Sequence, residues 1–343
     1  MNIEELTIPA AIDDSPEAAA FSEMVRVRNE IEADTVGNYD LAYEPAELLP
    51  GYQRKSEPKR LFVARVDGRI VARAIYETEG DASSTAWLAV EVLRSHRRRG
   101  IGGALYERLA ELGAAEGRTT LQAYVVQPAK DGPTLTAPTG FGSVPRDSAA
   151  TRFLLARGFS LEQVERMSRL DLPAELPAVH AEGYHLVSWS GRTPVEHLQA
   201  IADLRTGMQT DAPSAGLEPD TLPWTAERVV EEDDAEQSSP RLQLTTLAVH
   251  SESGAAAGFT ELSVPAEVGR PVAQEDTIVL RAHRGHRLGM VLKVENLRYL
   301  SAVSPGHPSV TTYNAEENRP MLSVNEALGF VAWGYEGAWK LVV

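Results

Sequence analysis

The chain has 343 residues, 43% of them hydrophobic, which is more than one hydrophobic core usually organises, so two domains are expected. Its 49 acidic against 33 basic residues give a formal net charge of -16. That excludes a general nucleic-acid binder, whose phosphate contacts need a basic face. With no cysteine there is no disulfide, no thiolate metal site and no acyl-cysteine intermediate.

The opening MNIEELTIPAAIDDSPEAAA lacks a basic segment followed by an apolar one, and no apolar run approaches membrane-spanning length. A cytoplasmic protein without a membrane partner is expected. Ser15-Pro16 then announces a helix: a capping hydroxyl, proline at the first helical position, and Phe21, Met24, Val25 and Ile31 at helical spacing. A hairpin follows in LFVARVDGRIVARAIYE, turning at Asp67-Gly68, and AWLAVEVL reads as the next strand.

That strand runs into RSHRRRGIGGAL, Arg94 to Leu105, which holds four arginines and three glycines in twelve residues. GGALYERLAELGAAEG continues as a helix and TTLQAYVV as a strand. A Pro/Gly-rich insertion spans residues 127–148, and TRFLLARGF closes the half with a short helix and a Gly-Phe pair.

Past DLPAELPAVHAEG, whose three prolines suit a linker, the order repeats. Thr193-Pro194-Val195-Glu196 reads as a capping box before Leu198, Ile201, Ala202 and Leu204. The acidic run EEDDAEQSSP, residues 231–240, reads as a solvated loop. The hairpin LQLTTLAVHSESGAAAGFTEL turns near Ser253-Gly254. After it come the strand DTIVL, the loop RAHRGHRLGMVL, the helix MVLKVENLRYLSAV, the strand SVTTYN and the closing MLSVNEALGF. One order of elements occurring twice points to a tandem duplication: residues 1–173, a linker over 174–183, and 184–343.

Each arginine-glycine loop lies between a strand and a helix, so successive backbone N–H groups and the helix dipole converge on one spot, a cradle for a diphosphate. Gly100, Gly102 and Gly103 allow close backbone approach, and Arg97, Arg98 and Arg99 add charge at the rim. No Gly-Lys-Ser/Thr is present, and this turn lacks GxGxxG, so neither a P-loop nor a dinucleotide fingerprint is supported. His283 and His286 lack a third ligand nearby, and no metal is expected.

Arg97-Arg98-Arg99-Gly100-Ile101-Gly102 resembles the Arg/Gln-x-x-Gly-x-Gly/Ala signature of the GNAT superfamily of N-acetyltransferases. The second copy, Arg284-Gly285-His286-Arg287-Leu288-Gly289, departs from it at Arg287. The resemblance covers nearly the whole chain in two copies, in a mycothiol-synthase-like layout. It implies an α/β (α+β) fold of two tandem GNAT domains, each a mixed, mostly antiparallel central sheet flanked by helices.

It also implies that both loops bind the pyrophosphate of acetyl-CoA and that Asn318, with Asn314, meets the pantetheine arm. Asp147 stands at the Asn318 position of the first half, counted back from Gly158. By the same resemblance, N–H groups near Val92 and Val279 would receive charge developing on the thioester oxygen. Leu154 and Asn325 occupy the position of the family's frequent tyrosine acid, leaving Tyr124 or Tyr313 as substitutes.

An alkyl ammonium has a pKa of about 10, so acetyl transfer to an amine needs a base or a water relay. Glu91 near the first loop, Glu275 and Asp276 near the second, and Glu77 and Glu261 on the hairpins are the candidate carboxylates. The first half has the better pyrophosphate loop. The second has the better pantetheine segment and an uninterrupted scaffold, and the balance leans to the second as catalytic.

The expected function is transfer of acetyl from acetyl-CoA to a primary amine of a small molecule, by direct attack in a ternary complex, in a monomer or homodimer. A protein or peptide N-acetyltransferase and a non-catalytic CoA-binding regulatory protein are the alternatives.

Overall fold

A computed structural model describes residues 1–78, 83–128, 131–218 and 222–343; Ala129 and Lys130 of the 127–148 insertion lie outside the described residues. Two compact units emerge, and neither is a single stretch of chain. The first holds Met1–Glu165, Ser214–Glu218 and Gly334–Val343, the second Arg166–Pro213 and Pro219–Trp333.

The first unit runs β1 (Asn2–Leu6), α1 (Pro16–Val36), α2 (Pro45–Gln53), β2 (Lys59–Val66), β3 (Arg69–Glu77), β4 (Thr85–Val92), α3 (Ile101–Ala115) and β5 (Thr120–Gln127). The insertion forms a small hairpin, β6 (Thr134–Thr136) and β7 (Ser143–Pro145), before α4 (Ala149–Leu155) and β8 (Ser160–Asp171), whose last residues count with the second unit. Then come β9 (Tyr184–Ser190), α5 (Leu198–Asp211), α6 (Ala226–Gln237), β10 (Leu242–His250), β11 (Ala256–Val264), β12 (Val272–Val279), α7 (Leu288–Val303), β13 (Ser309–Ala315), α8 (Arg319–Leu328) and β14 (Val331–Val342).

Ser15 caps α1 as its sequence predicts, its hydroxyl accepting from the Ala18 N–H at 3.2 Å. Asp67 and Gly68 both take positive φ, 50° and 80°, which suits the twist of the β2–β3 hairpin. Strand alternation then sorts the core. Leu61 and Val63 pack with Phe21, Met24 and Val25 of α1, while Phe62 and Ala64 turn to Ile101, Leu105 and Leu109 of α3. Burying each of these side chains larger than alanine stabilises the fold by about 1.5–3 kcal/mol.

In the first sheet β1 to β4 are antiparallel neighbours, β4 and β5 are parallel, and the chain's last strand, β14, lies antiparallel to β5. The second unit repeats the plan, with β9 to β12 antiparallel and β12 parallel to β13. Residues 174–183, the expected linker, count with the second unit; Ala174, Leu176 and Val179 pack against the core of Leu244, Leu262, Leu297 and Leu300.

Two local expectations are corrected. The acidic run at 231–240 is not a loop through most of its length. α6 extends to Gln237 because Thr225 caps its start, accepting from Arg228 N–H at 3.2 Å, and Val229 faces the core. Thr193 forms no capping box. Its N–H and hydroxyl both donate to the Asp233 carboxylate, at 2.9 and 3.3 Å, and α5 begins only at Leu198, after a single 3-10 turn.

Candidate active site

β4 and β5 pair only at Thr85↔Thr120, Ala86↔Leu121 and Trp87↔Gln122. Beyond that they part, and a cleft of about 880 Å³ opens between Leu88–Val92 and Ala123–Val126. It continues to the loop Gly100–Gly103 and to the start of α4, with Ser148 and Phe153 on its wall.

The loop is built by its arginines. Arg97 Nε donates to the Val92 carbonyl at 2.9 Å, and Arg94 and Arg97 both pair with Asp34 at the end of α1, at 3.1 and 3.6 Å. Arg98 and Gly100 turn the chain through positive φ, 64° and 83°. No side chain caps α3, so the N–H groups of Ile101, Gly102 and Gly103 have no acceptor within the helix.

A Cβ added at Gly103 would lie 3.2 Å from Arg157 Nη2, and one at Gly102 would lie 3.5 Å from Phe153 and Val92. The backbone thus lies against the side chains of α4 and the turn after it. Arg157, which the sequence did not flag, lines the cleft with its guanidinium 3.6 Å from the centre of the Phe153 ring. A cradle of free N–H groups, with Arg157 and Arg98 around it, fits a pyrophosphate.

The second loop has the same architecture 187 residues on. Arg284 Nε donates to the Val279 carbonyl at 3.1 Å, and Arg281 and Arg284 pair with Asp211 at the end of α5, at 2.7 and 2.6 Å. Gly285 and Arg287 take positive φ, 88° and 61°, and lead through Leu288 and Gly289 into α7. Arg287 therefore keeps the backbone of Gly100 at a conformational cost of roughly 1–2 kcal/mol. His283 bonds the Tyr184 hydroxyl at 3.0 Å, and the His286 ring also faces Tyr184. Among the described residues no group of three or more His, Asp or Glu is arranged to hold a metal.

Of the carboxylates singled out in sequence, Glu91 lines the first cleft but is gripped by Arg73, whose Nη2 donates to it at 2.9 Å. Burial opposes its charge, yet Arg73 holds its carboxyl below the usual range. Glu77 is turned to Lys59, at 3.0 Å.

Glu261, Glu275 and Asp276 come together in the second unit. A bulge sets Glu261 against the two residues between Gln274 and Thr277. Arg205 of α5 reaches Glu261 at 2.9 Å, but burial still lifts the Glu261 carboxyl to about 7. Glu236 of α6 is pushed to about 8 by burial and by repulsion from Glu261 and Glu232. The misread acidic run thus delivers a buried carboxyl to this group.

Asn318 spends its side chain as the cap of α8, accepting from Met321 N–H at 3.4 Å, and Asn314 accepts from Asn325 Nδ2 at 2.7 Å. The matching cap in the first unit is Ser148 rather than Asp147, since α4 begins one residue later relative to its Gly-Phe pair. Leu154 is buried in the core and Tyr313 is exposed, while Tyr124 lines the cleft, stacked on Trp87 with ring centres 5.1 Å apart.

Sequence reasoning missed Glu32 and Glu336, which also line the cleft. Glu32 follows Arg28 by one helical turn, at 3.8 Å. Glu336 comes from β14, opposite Val126 of β5, and nothing in the local sequence marked it because the pairing joins residues more than two hundred apart.

The comparisons agree with this geometry. Residues 24–131 match the model of the acetyltransferase (GNAT) family. A tandem GNAT protein from the clavulanic acid biosynthesis pathway is similar over 99% of this chain and 98% of its own, at 27% identity and a TM-score of 0.77. A GCN5-related N-acetyltransferase from Sphaerobacter thermophilus (17% identity, 94% and 92% covered, TM-score 0.64) shares the fold. So does a putative acetyltransferase from Pyrococcus horikoshii (14%, 100% and 89%, 0.56). No curated protein matches. Among the described residues no helix is long and apolar enough to cross a membrane. Members of this family transfer acetyl groups, generally from acetyl-CoA. Residues 24–131 are thus a domain of the GNAT acetyltransferase family, within a chain whose whole length follows the layout of a tandem GNAT protein.

Proposed function

We propose that the protein uses acetyl-CoA to acetylate a primary amine of a small molecule, by direct attack in a ternary complex, and that the cleft of the first unit is where this happens. The observation that carries the reading is the cleft itself. The parting of β4 from β5 leads straight to the free N–H groups of Gly100–Gly103, so a diphosphate-bearing chain has a cradle and a channel in line. It is this continuity that moves the preference from the second half to the first.

Bound acetyl-CoA would supply an activated acetyl carbon. Ile101, Gly102 and Gly103 would hold the pyrophosphate through their N–H groups, with Arg157 beside them. Backbone N–H groups of Leu88–Val92 left unpaired by the parting would face the carbonyl oxygen, where a donor of this kind is worth about 2.7–4 kcal/mol. Glu32, Glu91 and Glu336 give the cleft an acidic wall suited to an amine that arrives as a cation.

Calorimetric titration with acetyl-CoA, ATP and NAD, followed by thiol release in a panel of small amines, tests the reading. Binding of acetyl-CoA alone and thiol release that depends on an amine are expected. Acetyl-CoA binding without release on any amine would sink it in favour of a CoA-binding regulatory protein, and release on peptides only would mean a protein acetyltransferase.

A further inference from the structure

The geometry points to Glu336, on the last strand of the chain, as the general base that takes the proton from the acceptor amine. This inference rests on the acetyl-transfer reading above.

Four carboxylates line the first cleft, and three are committed elsewhere. Asp34 pairs with Arg94 and Arg97 and holds the loop. Glu91 is gripped by Arg73, and Glu32 lies beside Arg28 at 3.8 Å. A carboxylate held by a guanidinium is a poor base, because the pair favours its charged form. Glu336 has no hydrogen-bond or ion-pair partner among the described residues.

Its position also suits the task. Glu336 pairs across the strands with Val126, placing it on the sheet face that carries Tyr124, the face toward α1. It therefore stands on the β5 wall of the opening, where an amine entering from the α1 side meets the parted strands.

The groups facing it set its proton affinity. Burial raises the Glu336 carboxyl well above its ordinary value, and the negative charges of Glu165 on β8 and Glu32 on α1 raise it further. Tyr124 stays neutral, its phenol pushed up by burial and by the same two neighbours, Glu165 and Glu336. A base poised in this way accepts a proton far better than an ordinary surface carboxylate.

In the step, the ammonium first gives one proton to solvent at the cleft mouth, and the neutral amine nitrogen then forms a bond to the acetyl carbon as a second proton passes to a Glu336 carboxylate oxygen. The carbon–sulfur bond breaks with its electron pair left on sulfur. The thiolate takes a proton from solvent, and the Glu336 carboxyl returns its own to solvent.

The test is the pH profile of kcat/KM for acetyl transfer in the wild type, Glu336→Gln and Glu336→Asp, with acetyl-CoA affinity measured alongside. The wild type should show a rising limb set by one ionisation. Glu336→Gln should lose that limb and fall by roughly 10²–10⁴-fold, Glu336→Asp should keep part of both, and acetyl-CoA affinity should hold within about threefold.

Without any ligand, Glu336→Gln should also raise Tm at pH 8 relative to the wild type and not at pH 4, a readout independent of turnover. An unchanged limb with activity within threefold of the wild type would overturn the assignment while leaving the acetyltransferase reading intact. No turnover by the wild type on any amine overturns both.

Discussion

Arg73 grips Glu91 through two guanidinium nitrogens at the edge of the cleft, and Tyr52 stands behind the pair at 3.3 Å from Arg73 Nη1. Arg73 is 7% exposed in its side chain, so the guanidinium has given up most of its hydration for this one carboxylate. Glu91→Ala would leave it buried and uncompensated, a loss of about 3–5 kcal/mol. Chemical denaturation should find that loss, and removing both charges at once with Arg73→Met and Glu91→Met should recover much of it. A Glu91→Ala protein as stable as the wild type would show the pair to be ornamental.

The same pair makes acid sensitivity predictable. The Glu91 carboxyl is held below its ordinary value in the folded state, so it contributes stability that is present above the unfolded pKa and is lost as pH falls through the folded one. Stability measured from pH 6 downward should fall less steeply in the Arg73→Met, Glu91→Met double variant than in the wild type. Equal slopes would mean that other carboxylates dominate acid unfolding.

The second unit should behave in the opposite sense. Glu261 and Glu236 are raised to about 7 and about 8, so between pH 4.5 and 8 the folded state binds more protons than the unfolded one. Stability contributed by these groups therefore falls as pH rises through that window and levels off above it. Glu236→Gln should raise Tm at pH 8 by roughly 2–4 °C for each kcal/mol of strain relieved, and change little at pH 4. A Tm gain of the same size at both values would argue for a packing effect instead.

These electrostatic features mark the limit of what the sequence could disclose. The elements, their doubling and the two loops were legible because each is a local pattern: Ser15-Pro16 capping α1, Asp67-Gly68 turning a hairpin, arginines and glycines between a strand and a helix. Even the departure at Arg287 was visible, although its left-handed backbone was not. Pairing at a distance was invisible. Glu91 read as a free carboxylate until Arg73 was found across the ladder, and Glu336 drew no notice because β14 reaches β5 only through the fold. Glu231 to Gln237 read as solvated because charge outweighed the single apolar face that Val229 gives α6.

The two loops can be separated by matched substitutions. Gly102 and Gly289 occupy the same position after Gly100 and Arg287, so a glutamate at either adds an anion where a pyrophosphate would lie. Gly102→Glu should weaken acetyl-CoA binding at least tenfold, about 1.4 kcal/mol, and abolish amine-dependent thiol release. Gly289→Glu should leave release largely intact. The reverse result would return the chemistry to the second unit.

Lys293 offers a test of burial alone. It is 1% exposed on α7, its Nζ lies 5.8 Å from the centre of the Phe330 ring, and among the described residues no acid pairs with it. Burial pushes its ammonium down to about 7. The folded state therefore binds fewer protons than the unfolded one between pH 7 and about 10.5, and the penalty is greatest at or below pH 7 and fades as pH rises through that interval. Lys293→Met keeps the length and removes the charge. It should stabilise the protein by a few kcal/mol at pH 6.5, with the gain shrinking toward zero near pH 10.5. If instead the variant is destabilised at pH 6.5, the ammonium is held by more than the Phe330 ring it lies over.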